Sequence, residues 1–84
     1  MDRPKANDQD LNQAMMCVKS ELIRRLNEKG YGIWLWDHET LGIITEEYHE
    51  LIEAIHKRDG VRNELLDLAV ACIFGIVSID VREE

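Results

Sequence analysis

Residues 64–79 read ELLDLAVACIFGIVSI. On a helix this segment is apolar nearly all the way round, so the pattern predicts a helix buried on most of its faces. Such a helix needs neighbours, and two short helices do not cover all of it. Two acidic residues interrupt the pattern. Glu64 and Asp67 stand at i and i+3, on one face. Ala71, Gly75 and Ser78 continue that face with small side chains, which lets another helix or a ligand come close.

Outward from this segment, Arg58-Asp59-Gly60 is a turn signal, and the helix after it is predicted from about Val61 to Asp80. Before the turn, a second helix is expected to start near Glu39–Leu41 and to run to about Lys57. The stretch GYGIWLWDHE at 30–39 reads as a loop by its glycines, and Ile33–Trp36 is too short to weigh as a strand. Further back, Leu11, Met15, Val18, Leu22 and Leu26 recur at steps of four and three, which is one apolar helix stripe. Asp8 or Asp10 is positioned to cap its start and Gly30 to end it. Residues 1–7 are a polar lead. The expectation is an all-α fold: a short antiparallel bundle of about three helices, one domain over residues 1–84, completed by oligomerisation. A chain of 84 residues buries a limited core by itself, and pairing two chains would cover both the third helix and the first helix's stripe. A homodimer or homotetramer is expected.

Composition narrows the function classes. Hydrophobic residues make up 45% of the chain, too many for a disordered one. A net charge of −7 argues against binding a nucleic-acid polymer, which needs basic surface. It leaves room for a phosphate-bearing ligand accompanied by a divalent cation. Cys17 and Cys72 are far apart in helical patterns and read as free thiols of a cytoplasmic protein. The first residues carry no apolar signal-peptide core. The longest apolar run, Leu65–Ile79, is interrupted by Asp67 and Ser78 and is too short to span a membrane.

The second helix contains TEEYHELIEA at residues 45–54. At 100° per residue, Leu41, Ile43, Ile44, Tyr48, Leu51, Ile52, Ala54 and Ile55 form one wide apolar arc. Glu47 falls inside that arc, and Glu50 lies at its edge one turn later. Glu46 and Glu53 lie on the polar side. Taken alone, the cluster could be a solvated helix face. Glu64 and Asp67 on a mostly apolar neighbour change the balance. Two antiparallel helices joined by a short turn would then each present an i, i+3 carboxylate pair toward the other. A buried carboxylate needs a proton, a cationic partner or a metal. Four of them together point to a hard divalent cation with oxygen ligands, Mg²⁺ first and Mn²⁺ as a substitute. Glu46-x-x-His49 also matches the Glu-x-x-His of di-iron bundles. The second half-motif is Glu-x-x-Asp, however, and His49 falls opposite Glu47, so that reading fits poorly. His49 and His56 are expected at the surface.

Glu46-Glu47-Tyr48-His49-Glu50, followed after residues 51–63 by Glu64-Leu65-Leu66-Asp67, resembles the motif of the MazG family of all-α nucleoside triphosphate pyrophosphohydrolases. Leu41-Gly42-Ile43-Ile44 before it and Leu68-Ala69 after it fit the same context, and the match covers roughly residues 40–80. The resemblance implies Mg²⁺-dependent hydrolysis of a nucleoside triphosphate to the monophosphate and pyrophosphate, associated with clearing non-canonical or surplus nucleotides. It implies an assembly of two or four chains, with Glu47, Glu50, Glu64 and Asp67 as metal ligands and Glu46 as a further catalytic candidate. The chain is short for the family, and a second subunit would have to supply elements that complete the substrate pocket in longer members. The competing reading is a helical dimerisation or nucleotide-binding module that keeps the acidic site without turnover.

For substrate binding the candidates are Trp34, Trp36 and His38. If residues 33–36 are extended, both indoles lie on one side and offer a flat surface for a nucleobase, with His38 as a hydrogen-bonding group. The plainer reading is that one indole caps a small core. Lys19, Arg24, Arg25, Lys57, Arg58 and Arg62 are basic residues within reach of a phosphate, and solvation accounts for most of them.

Overall fold

In a computed structural model describing residues 2–83, the chain forms three helices. They are α1 (Asp8–Lys29), α2 (Asp37–Lys57) and α3 (Val61–Arg82). No strand occurs among the described residues, and the Ile33–Trp36 stretch is irregular. The fold class is all-α, as the periodicity predicts. Met1 and Glu84, the ends of the expected domain, lie outside the described residues.

Local chemistry explains the helix boundaries. The N-cap of α1 is Asn7, one residue earlier than expected. Its side chain accepts from the Asp10 N–H, and Asp10 Oδ2 accepts from the Asn7 N–H, both at 2.9 Å. Asp10 is therefore the reciprocal partner of a capping box rather than the cap. Gly30 closes α1 at φ 98°, a conformation that costs a glycine little, with its N–H on the Leu26 carbonyl. The next helix starts at Asp37, about a turn earlier than the glycines suggest, with Asp37 and Glu39 placed favourably in its first turn. It ends where the Asp59 N–H reaches the Ala54 carbonyl and the Arg58 N–H reaches that of Ile55. This is a Schellman closure with Arg58 in the left-handed region, and Gly60 follows at φ 72°.

The two helices either side of this turn run antiparallel. Thr40, early in α2, lies against Gly75, late in α3, and Glu50 lies beside Glu64. The first helix runs parallel to α3, with Cys17 near Arg62 and Arg25 near Asp67. Both α1 and α2 rest on α3 rather than on one another. The small-residue face of α3 lies at the centre of this packing: Ala71, Gly75 and Ser78 are all buried, together with Val70 and Phe74. Residues 30–36 cross over it. The Trp34 N–H donates to Ser78 Oγ at 3.1 Å, and the Trp34 ring meets Phe74 edge-on at 5.2 Å between centroids. Ser78, the one buried polar residue among the described residues, thereby satisfies the backbone of the loop that carries Trp34.

Much apolar surface stays outside this core. Leu11 and Met15, the first half of the expected α1 stripe, are exposed, while Val18, Leu22 and Leu26 are half-buried. Leu65, Ile73, Ile76 and Val77 are exposed on the side of α3 away from its buried face. Leu41, Tyr48 and Ile55, at successive seven-residue steps along α2, are each more than half exposed. No helix among the described residues is long and apolar enough to cross a membrane.

The close approach at Gly75 sets a testable limit. A Cβ there would lie 3.4 Å from Thr40 Cγ2 and 3.6 Å from Trp34 Cζ3. Gly75→Ala fits this space and gains helix propensity, so its stability in a urea melt should match or exceed that of the wild type by up to about 1 kcal/mol. Gly75→Leu has to push α2 and Trp34 away, and should cost about 1–3 kcal/mol.

Candidate metal centre and adjoining cleft

The antiparallel register brings Glu47 and Glu50 of α2 opposite Glu64 and Asp67 of α3. One carboxylate oxygen from each of the four lies within 4.8 Å of the others. Glu47, Glu64 and Asp67 are half-buried, and Glu50 closes the cluster on the solvent side. This is the arrangement the helical phases of the two half-motifs predict.

A divalent cation fits this donor set. An octahedral Mg²⁺ with oxygens at about 2.1 Å places opposite ligands about 4.2 Å apart, so the four oxygens already stand at the scale of one coordination shell. Glu47 Oε2 and Glu64 Oε2 are buried and have no hydrogen-bond partner. Buried acceptors without a donor are costly, and a cation between the helices would satisfy both. Acidic groups also cluster at protein surfaces without any ion. What distinguishes this set is the combination of partial burial, convergence from two helices and unpartnered oxygens.

The electrostatics follow from crowding. Burial pushes the Glu47 carboxyl above its ordinary value, and the charges of Glu50, Asp67 and Glu64 push it further. Glu64 is raised in the same way, by burial first and then by Asp67 and Glu50. One cation opposes this trend. Arg25 of α1 donates from Nη2 to Asp67 Oδ1, and its Nε donates to Glu21 Oε1 at 3.0 Å. Glu21 also accepts from Arg24, and the two guanidiniums, Arg24 first, hold its carboxyl down to about 2.

A cleft of about 400 Å³ adjoins the cluster, within the size range of small-molecule sites. Trp34, Ile43, Phe74, Leu22 and Leu26 give it apolar walls; Glu47 joins it to the carboxylates, and Arg25 and Lys29 supply cationic groups. Of the three residues proposed to hold a base, Trp34 lines the cleft. Trp36 is the exposed N-cap of α2 and His38 lies exposed in the first turn, and neither lines it. The irregular path of residues 30–36 and the early start of α2 separate the two indoles. The structure also leaves Glu46 outside the four-carboxylate group, exposed on the polar side of α2. His49 and His56 are exposed, as expected.

Arg25 is the residue that sequence reasoning treated as one basic residue among several. A signal for it existed: it lies three residues after Leu22 and one before Leu26, at the edge of the α1 stripe. A cation there turns toward whatever the stripe packs on.

The pKa directions give a stability prediction for the metal-free protein. Groups raised in the folded state, here Glu47 and Glu64, contribute stability that is full below the ordinary carboxylate value and is lost as pH rises through their folded values. The depressed Glu21 acts oppositely, and its contribution disappears only as pH falls from about 4.5 toward 2. In chelator, the melting temperature should therefore rise as pH is lowered from 7.5 to 5. Glu47→Gln should raise the pH 7.5 value by a few degrees and flatten that slope. A melting temperature that falls over this range for the wild type would contradict the assignment.

No protein-family model, curated protein or solved structure matches this chain. The functional reading of the site therefore rests on its residues and their geometry.

Proposed function

We propose that this chain is a MazG-like, Mg²⁺-dependent nucleoside triphosphate pyrophosphohydrolase that releases pyrophosphate and a nucleoside monophosphate, with removal of unwanted nucleotides as its role. The observation that carries the reading is the convergence of Glu47, Glu50, Glu64 and Asp67 from two helices, with Glu47 also lining a cleft walled by Trp34. An apolar cleft with an aromatic wall suits a nucleobase, and the carboxylate cluster that Glu47 joins to it suits a metal-bound phosphate tail.

In this reading Glu47, Glu50, Glu64 and Asp67 hold the metal, and their carboxylates would be ionised in the loaded site. When bound, Mg²⁺ supplies charge neutralisation of the triphosphate and a water of lowered pKa. Glu47, Glu64 and Asp67 are half-buried and would limit bulk water on their side of the site, while Glu50 is exposed to solvent. Trp34 orients the base. Lys29, on the cleft wall, is placed to meet negative charge on the ligand. Glu46, exposed on α2, is the candidate for orienting water or binding an outer metal.

Pyrophosphate release from a panel of nucleoside triphosphates, coupled to an inorganic pyrophosphatase and a phosphate dye, tests this. Glu50→Gln and Asp67→Asn should each lower turnover by at least about a hundredfold, the scale of losing a charged transition-state contact, while both variants still fold. Glu46→Gln should cost about tenfold or less. Wild-type-like turnover in Glu50→Gln and Asp67→Asn would sink the reading. Quenching of Trp34 by Mg²⁺-nucleotide with no turnover would leave the non-catalytic binding module.

The same proposal includes a homodimer or homotetramer. The line of Leu41, Tyr48 and Ile55 on α2 and the outer face of α3 with Ile76 at 60% exposure are apolar surfaces that a second copy would cover. Sedimentation should find no stable monomer at low micromolar concentration. Tyr48→Lys together with Ile55→Lys should shift the chain toward monomer.

A further inference from the structure

The geometry points to Arg25 as a resident counter-cation of the carboxylate cluster, which a divalent ion must displace from Asp67 before the site is loaded. This rests on the metal-site reading above and adds a regulating residue from a third helix. Among the described residues, the Arg25–Asp67 pair is the only salt bridge to any of the four carboxylates. Asp67 thus gives one oxygen to the guanidinium, and Glu47 Oε2 and Glu64 Oε2 remain without partners.

The contact is not a loose surface pair. Both side chains are 27% exposed, and Arg25 is fixed from behind by Glu21, four residues earlier on α1. A guanidinium does not lose its charge at any physiological pH. It therefore repels an incoming divalent ion, and competes with that ion for Asp67, for as long as it stays. Glu21 keeps it from leaving the site's edge altogether. Arg25 and Lys29 both line the cleft, so a guanidinium released from Asp67 has the cleft beside it. An anionic oxygen of the ligand would take the place of the carboxylate there. The exchange has a direction: without a cation the guanidinium steadies the crowded carboxylates, and with one it becomes available to the anion. Loading by metal and binding of the phosphate tail are thereby coupled through one side chain.

Titration calorimetry with Mn²⁺ alone, at low ionic strength and without nucleotide, tests the displacement directly. Arg25→Gln should bind Mn²⁺ about tenfold more tightly than the wild type, the scale expected for removing one charge a few ångströms from a divalent ion in a partly solvated site. Its metal-free form should melt lower than the wild type. Arg25→Lys keeps a charge but loses the two-armed contact to Asp67 and Glu21, so its affinity should lie between the two. Arg24→Gln is the control for general charge, because Arg24 pairs with Glu21 and Glu28 and not with the cluster. Unchanged or weaker Mn²⁺ binding in Arg25→Gln and Arg25→Lys, with normal binding in the wild type, overturns the displacement while leaving the metal site standing. Equal tightening in Arg24→Gln and Arg25→Gln overturns it too, since the effect would then be long-range charge. Absence of Mn²⁺ binding in every variant removes the metal site and the displacement together.

Discussion

The structure depends on one helix serving two neighbours. α1 and α2 both pack on α3, and without it they would have almost no contact with each other. That demand explains why α3 is apolar over most of its circumference and why its inner face is built from Ala71, Gly75 and Ser78. Small side chains let Thr40 and the Trp34 ring approach the α3 backbone. Ser78 supplies the acceptor that the crossing loop needs. The register set there, far from the turn at Arg58–Gly60, carries through the antiparallel pair and aligns Glu47 and Glu50 with Glu64 and Asp67.

That alignment has a cost. Four carboxylates with oxygens within 4.8 Å oppose one another, and partial burial weakens the screening that water would provide. A chain selected only for stability would carry leucine or glutamine at position 47, where Ile43 and Leu51 flank it by one turn on either side. The fold tolerates the arrangement through a raised Glu47 and Glu64 and through the Arg25 contact to Asp67. Each of these is a partial remedy. Protonation removes one charge at a time, and Arg25 reaches only Asp67.

The helices and the four-carboxylate set were legible from the sequence because both follow from local periodicity. A 3.6-residue repeat fixes which way Glu47 and Glu64 face, and the short Arg58–Gly60 connection leaves antiparallel packing as the simple arrangement of α2 and α3. Features that depend on how α1 and the loop lie on α3 were not legible. Trp34 and Trp36 alternate in the sequence, but the loop is not an extended strand, so one indole packs edge-on against Phe74 while the other, at the N-cap position of α2, stays exposed with no side-chain capping bond. Asn7, Asp8 and Asp10 have much the same capping propensity, and only the backbone geometry distinguishes the residue that accepts from the one that reciprocates. Arg25 needed a long-range contact, from α1 to α3, to stand out from Arg24. The exposed outer faces of α2 and α3 were anticipated only in outline: the α3 pattern shows that too much is apolar, but not which stripe is left over.

The position of the cluster relative to the cleft adds a constraint on any ligand. The carboxylates lie on α2 and the first turns of α3, whereas Phe74, with the Trp34 ring against it, lies about two turns further along α3. At a rise of about 1.5 Å per residue, the seven residues from Asp67 to Phe74 span about 10 Å. A ligand that uses both ends must therefore carry an anionic group and a flat apolar group separated by roughly that distance. A nucleotide has this form, with a sugar between base and phosphates. A free phosphate or pyrophosphate would reach only the acidic edge, and an aromatic ring without a charged tail only the wall at Trp34. The separation of these two chemistries along a single helix sets the acidic cluster apart from the apolar wall, and the proposed nucleotide carries both kinds of group at about that spacing.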